Sequence, residues 1–448
     1  MLVSAEEQLT KAFNSLFSNY AGPAFAIRLW DGSIWHSSQN EKPECTIEIT
    51  SPNALELLVA NPDEVGLGGA FVSGDLDVKG DIFSVFAIGE YLFTRPANFR
   101  NEMFQRVMLT LCRVRRFIRN GRPHSLNRDR SSIAHHYDQP FEFYKSWLGK
   151  SLTYSCAYFR DGSEPLDQAQ QRKIDHICRK LRLQPFDQFL DIGCGWGSLV
   201  LHASKEYGAY AHGITLSKEQ ARVATDRIEQ ERLTQSCKVE LRDYRTLSDL
   251  SLPFDKIASV GMFEHVGLKN LPQYFSVVHE ALKPGGVFLN HGIARSHQSP
   301  ARKSSFIDRY VFPDGELVTL AQALSAAESA GFEVRDVENL REHYELTLRR
   351  WVEDLQWNAG TVLSYVPKST YRIWLLYMAG SAASFYRGDI AVYQVLLSRS
   401  DKGKSRLPLT REDWYMPDAR HSASRFQIAN SPCMVQPGVQ TTALAREG

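Results

Sequence analysis

The chain has 448 residues and an almost balanced charge, with 52 Lys plus Arg against 51 Asp plus Glu. The length favours two domains, or one domain with large additions, and the balance excludes a protein that binds nucleic acid through overall positive charge. Seven scattered Cys without a C-x-x-C pair predict neither a disulfide framework nor a metal site.

The N-terminal sequence carries acids where a signal peptide carries positive charge. No apolar run is long enough to span a bilayer. Together with the scattered cysteines, this predicts a cytoplasmic protein that is soluble or peripheral on the inner face of the membrane.

Residues 1–105 predict a small α+β domain. AFAIRLW and CTIEIT are strand-like, NALELLVANP has helical spacing, and GLGGAFVSGDLDVKGD is glycine-rich. No catalytic constellation stands out here, so a lipid-binding role is only a hypothesis.

Residues 106–130 contain eight arginines and a single acid, Asp129. On a helix, apolar side chains share one arc while Arg106, Arg113 and Arg116 lie opposite, which predicts a basic amphipathic helix followed by a linker. Such a helix binds an anionic membrane surface, at roughly 1 kcal/mol per arginine. A solvated helix packed on its own domain explains the pattern equally well, and both interpretations stay open.

Residues 131–400 alternate between strand and helix patterns, as a doubly wound α/β fold does. The predicted strands are FLDIG, AYAHGITL, KVELRDY, KIASVG, GGVFLNHGI, FEVRDVENL and AVYQVLLSR. They predict a Rossmann-like domain with a seven-stranded, mostly parallel sheet. Residues 401–448 form a polar tail whose end we expect to be poorly ordered.

The first of these strands runs into a glycine loop, FLDIGCGWGSLV. The alternation of Gly193, Gly195 and Gly197 matches neither a dinucleotide fingerprint nor a triphosphate loop, and Asp191 would repel a phosphate. S-adenosylmethionine has a cationic sulfonium and no phosphate, so the loop suits this cofactor. A plain strand-to-helix turn is the alternative.

Ligands of an open α/β sheet bind beyond the carboxyl ends of its strands. Thr215 and Gln220 follow the second strand, and Asp243 and Tyr244 follow the third. These polar groups can bind ribose hydroxyls and the adenine amino group, although a Thr or Asp at such a position is more often a helix cap.

The fourth and fifth strands end in GMFEHVG and LNHGI, which places Glu264, His265 and His291 at the same edge of the sheet. This predicts acid-base capacity beside the cofactor. Spacing does not decide which histidine is catalytic.

Several motifs in residues 130–400 together resemble the cyclopropane-fatty-acyl-phospholipid synthases, a branch of the S-adenosylmethionine-dependent methyltransferases. The glycine loop is shared by many methyltransferases, whereas YSCAYF, MFEHVG and HYELTLRRW are typical of this branch. The other matching motifs are HHYDQPFEFYKSWL, GITLSKEQ, RDYR and FLNHGI.

The resemblance implies two groups of site residues. Those assigned to the cofactor are Tyr154, Ser155, Gly193, Gly195, Thr215, Gln220, Asp243 and Tyr244, to which we add Tyr137 and Gly197. Those assigned to a bound bicarbonate ion are Cys156, Glu264, His291, Ile293 and Tyr344. Cys156 would shape the anion site and not act as a nucleophile.

The implied reaction adds a methylene group to the cis double bond of an unsaturated phospholipid in the membrane. Aromatic side chains would stabilise the carbocation, and bicarbonate would take the proton. The candidate aromatic walls are Tyr137, Tyr154, Tyr158, Phe159, Phe263 and Tyr344. A methyl- or methylene-branched product, a small soluble acceptor and a non-catalytic lipid-binding protein are the alternatives. A homodimer is held open.

Overall fold

The computed structural model describes residues 10, 13–14, 17–51, 63–93, 139–250, 253–297, 305–312 and 315–415. The basic segment 106–130, the helix-like stretch 53–62, Tyr137 and the tail beyond residue 415 lie outside the described residues. The chain divides into two compact units, Met1–Leu407 and Pro408–Gly448. All features below belong to the first.

The N-terminal region contains a four-stranded sheet in the order β2-β1-β3-β4. The glycine-rich stretch that the sequence left unassigned forms helix α1 and strand β4. Asp63 begins this helix by accepting a hydrogen bond from the Gly66 N–H at 2.7 Å, and Gly74, at a φ of 92°, ends it. The elements are β1 (Phe25–Arg28), β2 (Ile34–His36), β3 (Cys45–Ile49), α1 (Glu64–Ser73), β4 (Leu76–Gly80) and α2 (Ser84–Phe93).

The second sheet has seven strands in the order β10-β11-β9-β8-β5-β6-β7. Strand β11 is antiparallel to both of its neighbours, and the pairs from β9 to β7 are parallel, so the predicted mostly parallel sheet is confirmed. The strands are β5 (Gln188–Ile192), β6 (Tyr210–Thr215), β7 (Cys237–Leu241), β8 (Phe254–Val260), β9 (Leu282–Arg295), β10 (Glu333–Asn339) and β11 (Ile390–Ser398).

Helices cover both faces of this sheet, because its central strands are apolar on both sides and must be shielded from water. One apolar cluster joins the sheet to the helices before the glycine loop and after β10, and another lies under the helices that follow β8. The helices are α3 (Phe141–Leu148), α4 (Leu166–Leu181), α5 (Ser198–Tyr207), α6 (Lys218–Gln230), α7 (Leu271–Ala281), α8 (Phe306–Tyr310), α9 (Leu320–Ser329), α10 (Arg341–Trp357), α11 (Ala359–Tyr365) and α12 (Lys368–Arg387).

The N-terminal region packs on α12 through a buried arginine. Arg372 donates to the backbone carbonyls of Phe71 at 2.6 Å and Leu76 at 3.1 Å, and its guanidinium lies 3.0 Å from Asp77. Such charge-assisted bonds to fixed backbone atoms hold the two regions in one register. None of the helices in the described ranges combines the length and apolar character needed to cross a bilayer.

Candidate active site

A cavity lies beyond the carboxyl ends of β5, β6 and β8, which is where an open α/β sheet binds ligands. The glycine loop forms one side of this cofactor cavity, and the segment before α4 forms another. Its wall includes Thr153, Tyr154, Ser155, Lys173, Asp191, Gly193, Cys194, Gly195, Trp196, Thr215, Gln220, Arg242, Tyr244, Arg245, Gly261, Met262 and His265.

The glycine loop is fixed to the next strand through its backbone. The N–H groups of Gly193 and Cys194 both donate to the Ile214 carbonyl, at 2.9 and 3.0 Å. A Cβ at Gly193 would lie 2.8 Å from the Cβ of Met262, whereas a Cβ at Gly195 would meet no atom within 4 Å. Gly195 therefore leaves its side of the cavity open to a ligand, and the loop is more than a plain turn.

The polar residues after β6 and β7 serve both as caps and as cavity wall. The Thr215 hydroxyl donates to the side-chain amide oxygen of Gln220 at 2.8 Å, and both residues line the cavity. Asp243 caps the following turn by accepting from the Arg245 N–H at 2.9 Å, and the Arg245 guanidinium lies 2.8 Å from its other carboxyl oxygen. Asp243 thus acts on the cavity through Arg245 and Tyr244, which are wall residues.

Helix α4 holds the segment Thr153–Cys156 against the cavity. The Gln170 amide donates to the carbonyls of Ser155 at 2.8 Å and Thr153 at 3.3 Å. One turn further along the helix, the Lys173 ammonium donates to the Ser155 hydroxyl at 2.8 Å. The helix therefore fixes both the backbone and the side chain of Ser155.

We use the name base pocket for the five residues that the resemblance assigns to bicarbonate, Cys156, Glu264, His291, Ile293 and Tyr344, of which Cys156, Ile293 and Tyr344 belong to one apolar cluster. Glu264 Oε1 accepts a hydrogen bond from the Ile293 N–H at 2.7 Å. The other oxygen, Oε2, is buried and has no hydrogen-bond partner among the described residues. Burial raises the pKa of Glu264 from 4.5 to about 7, so the carboxyl exchanges a proton near neutral pH.

His291 lies two residues before Ile293 on β9 and is 1% exposed. Its Nδ1 lies 3.2 Å from the Gln394 amide nitrogen on β11, and with the amide in this orientation Gln394 donates to Nδ1, which corresponds to the tautomer with its proton on Nε2. That Nε2 is buried and has no partner among the described residues. Burial lowers the pKa of His291 to about 3, which keeps the ring neutral.

Cys156 and Tyr344 come from distant segments of the chain, the segment before α4 and helix α10. The Cys156 thiol is fully buried and lies 3.8 Å from the Leu340 carbonyl, which also accepts the backbone N–H of Tyr344 at 3.1 Å. Burial raises the pKa of Cys156 far above its ordinary value, so the thiol stays protonated and is a poor nucleophile.

The aromatic walls are arranged partly differently from the sequence prediction. Tyr344 packs on Phe385, with ring centroids 4.8 Å apart, and shares an apolar cluster with Tyr154 and Ile293. Tyr158 instead stacks on His343 at 4.8 Å and donates to Glu338 at 3.1 Å. Tyr158 is therefore held in a partly buried polar cluster with His343 and Glu338.

Most predicted cofactor residues meet at one cavity: Tyr154, Ser155, Gly193, Gly195, Thr215, Gln220 and Tyr244 all line it. Gly197 begins α5 just behind the wall, with a φ of 84°. Sequence reasoning missed Lys173 and Gln394, because a Lys or Gln in a helix or strand pattern gives no sign that it will be buried. It also gave no role to Arg245, the last residue of the RDYR motif. It also missed Tyr377, which hydrogen-bonds to Tyr154.

The two sites fit the groups that the resemblance implies. The cofactor cavity combines an open glycine edge with buried groups of both charges, Asp191 and Lys173, as a zwitterionic sulfonium ligand requires. The base pocket offers the unpaired Glu264 Oε2 and His291 Nε2, which match a small anion that both donates and accepts hydrogen bonds. Bicarbonate is such an anion.

Two family models match the chain. The one described as mycolic acid cyclopropane synthetase covers residues 124–395, which include both the cofactor cavity and the base pocket. A domain of unknown function matches residues 12–91, in the N-terminal region.

Individual relatives agree with the first of these models. A probable fatty acid methyltransferase of Pseudomonas putida is 41% identical over 394 residues, covering 87% of this chain and 95% of the relative. The cyclopropane-fatty-acyl-phospholipid synthase of Escherichia coli is 38% identical over 264 residues, covering 59% of this chain and 66% of that relative. The crystal structure of a mycolic acid cyclopropane synthase complexed with SAH and CTAB has a TM-score of 0.57 at 32% identity, covering 62% of this chain and 99% of that one.

Proposed function

Because this chain belongs to the mycolic acid cyclopropane synthetase family of S-adenosylmethionine-dependent methyltransferases, we propose that it forms cyclopropane rings on the acyl chains of phospholipids. The acceptor is a cis double bond of an unsaturated chain. Bound S-adenosylmethionine supplies an electrophilic methyl group on its sulfonium, which a weakly nucleophilic alkene can capture.

The observation that carries this proposal is the pair of unpaired, buried polar atoms in the base pocket. Addition of a methyl to the alkene leaves a carbocation, and ring closure requires loss of a proton from that methyl. Glu264 and His291 can hold a small base there, and bicarbonate would supply the proton acceptor when bound. The Cys156 thiol stays protonated and the Nδ1 of His291 is occupied by the Gln394 amide, so neither offers the cation a strong nucleophile that it could alkylate.

A second candidate is a methyl- or methylene-branched acyl chain. The Pseudomonas putida relative, which matches almost along its whole length, is named a probable fatty acid methyltransferase. The same carbocation gives a methyl branch when the proton leaves a neighbouring carbon of the acyl chain. It gives a methylene branch when the proton leaves the new methyl without ring closure, after a hydride shift.

The products are separated by incubating the enzyme with unsaturated phospholipid vesicles and methyl-deuterated S-adenosylmethionine. Mass spectrometry then counts the deuterium atoms in the released fatty acids. A cyclopropane retains two and resists ozone, a methylene branch retains two and is cleaved, and a methyl branch retains three. A small soluble acceptor that gains mass while the lipid gains none would overturn the lipid assignment.

We further propose that residues 106–130 dock the enzyme on an anionic membrane. The support is the charge pattern of the sequence, since this segment lies outside the described residues. Several arginines near anionic headgroups each add roughly 1 kcal/mol, and salt weakens this attraction.

Vesicle flotation tests this proposal with Arg113, Arg115, Arg116 and Arg119 replaced together by Gln. Binding to vesicles with anionic lipid is expected to fall, and binding of the unchanged protein is expected to weaken as salt rises. Equal flotation of both proteins at low and high salt would contradict an electrostatic role.

A further inference from the structure

A buried lysine, Lys173, lies on the wall of the cofactor cavity and has no part in the reaction proposed above. Lys173 lies in the middle of α4 and is 2% exposed. Among the described residues, its ammonium has one hydrogen-bond partner, the Ser155 hydroxyl at 2.8 Å. An ammonium has three N–H donors, so this single bond leaves donors available at the wall.

Burying a charged ammonium with one neutral partner costs free energy. Burial lowers the pKa of Lys173 to about 8, which still leaves the ammonium protonated at neutral pH. The Asp191 carboxyl lies on the same wall and interacts electrostatically with Lys173, yet its Oδ1 has no hydrogen-bond partner among the described residues. The wall thus presents a buried cation and a buried acid that attract each other but form no hydrogen bond with each other in the described part of the chain.

S-adenosylmethionine ends in an amino acid that carries one carboxylate and one ammonium group. We propose that Lys173, held by Ser155, binds the carboxylate of this amino acid, and that the Asp191 carboxyl faces its positively charged part. The ammonium would then gain the charge-assisted bonds that it lacks in the protein alone. This inference concerns the cofactor only and holds whichever acyl product the enzyme makes.

A purely structural role predicts something different. If Lys173 only fixes Ser155 and balances Asp191, its loss weakens every ligand of the cavity by the same factor. Recognition of the carboxylate instead predicts a loss that depends on whether the ligand has that group.

The experiment compares S-adenosylmethionine with decarboxylated S-adenosylmethionine, which keeps the sulfonium and amine but has no carboxylate. Binding of both is measured by calorimetry in the unchanged protein and in Lys173→Met, which is similar in size. The preference for the carboxylated ligand is expected to fall roughly 10- to 100-fold in the variant, as loss of a hydrogen bond to a charged group predicts.

Two further variants serve as a control and as an intermediate case. Lys205→Met removes an exposed lysine paired with Glu231 and should leave both affinities unchanged. Ser155→Ala keeps the ammonium but removes its anchor, so we expect a smaller fall in the same preference. Should Lys173→Met not fold, as judged by circular dichroism, Lys173→Gln serves the same comparison because it is uncharged.

An unchanged preference, or an equal loss for both ligands, would overturn the assignment to the carboxylate. So would a variant whose only change is a higher requirement for bicarbonate, since that would place the Lys173 charge at the base pocket. Because no lipid is present, these outcomes are independent of the test of the acyl product.

Discussion

The cofactor cavity and the base pocket lie side by side but are built in different ways. The cofactor cavity rests on backbone, with the glycine loop tied to Ile214 and the strand ends of one parallel sheet around it. The base pocket is assembled from residues of β9, α10, the turn after β8 and the segment before α4, with Gln394 of β11 against His291, and these segments are far apart in sequence.

The difference lies also in how each region satisfies its polar groups. Around the cavity, Thr215, Gln220 and Asp243 are bonded to protein partners, whereas Lys173 and Asp191 are only partly satisfied by the described residues. In the pocket, Glu264 and His291 each use one polar atom to fix their orientation, and the other atom has no partner within the described part of the chain. A buried group left in this way favours a ligand that completes it, so the pocket depends on its side-chain chemistry, and the cavity depends on its shape together with Lys173 and Asp191.

Glu264→Gln is the strongest test of this difference between the pocket and the cavity. The amide keeps the bond from the Ile293 N–H but cannot exchange a proton near neutral pH. Turnover is expected to fall roughly 100- to 10,000-fold, as loss of acid-base function does. Affinity for S-adenosylmethionine should stay within about threefold, because the cavity does not use this carboxyl.

Rates of cofactor consumption with lipid vesicles, together with calorimetric affinity, measure both effects. A variant that loses cofactor binding as strongly as turnover would show that the two regions are not separable.

The same substitution has a pH-dependent effect on stability. Because the pKa of Glu264 rises from 4.5 unfolded to about 7 folded, the folded protein holds this proton more tightly. Ionisation therefore costs stability as pH rises from about 4.5, and the whole cost is present above pH 7. The glutamine of Glu264→Gln does not ionise. As pH rises through this range, the free energy of unfolding of the variant minus that of the unchanged protein should therefore increase, by at most about 3 kcal/mol.

Chemical denaturation at pH 5 and pH 8 without ligand measures this difference. Asp191 also has a raised pKa, about 7, but it is present in both proteins and cancels in the comparison. The same difference in stability at both pH values would argue against a buried, ionising Glu264.

Gly195→Leu tests whether the cavity depends on shape. The glycine has a φ of 53° and open space beside it, so a side chain would enter the cavity without striking the protein. Cofactor affinity is expected to fall roughly 10- to 100-fold, as overpacking predicts. Gly403→Leu is the matched control, since that glycine has a φ of 80°, equally open surroundings and a place outside the cavity wall.

If both variants lose the same affinity, backbone strain and not occupation of the cavity is responsible. If neither loses affinity, the glycine loop is not the cofactor site.

The cavity and the sheet were predictable because their signals are local. Each predicted strand matches an observed strand, β5 to β11, since runs of apolar residues and glycine turns are readable in a short window. The residues after those strands share one edge by topology alone, which is why Thr215 and Tyr244 were predicted to lie together.

The pocket was less predictable because its partners come from distant segments. The strand-end motifs and the family resemblance indicated Glu264 and His291. Nothing near Gln394 in the sequence shows that it contacts a histidine 103 residues earlier. Lys173 likewise lies in a helix whose pattern, QRKIDH, is polar, and its burial follows only from the packing of α4 on the sheet. The glycine-rich stretch of the N-terminal region was left unassigned, because glycines hide the helical spacing of α1.

Tyr344→Phe is the mildest test of the pocket. The ring packs on Phe385 and Trp351, at centroid distances of 4.8 and 6.1 Å, and phenylalanine keeps both contacts. The variant removes only the hydroxyl, so turnover should fall less than tenfold, as loss of one hydrogen bond predicts. Deuterium counting adds a second measurement, since a weakened base pocket should raise the share of three-deuterium methyl product over two-deuterium product. A loss as large as that of Glu264→Gln would mean that the tyrosine hydroxyl is as essential to the pocket as the Glu264 carboxyl.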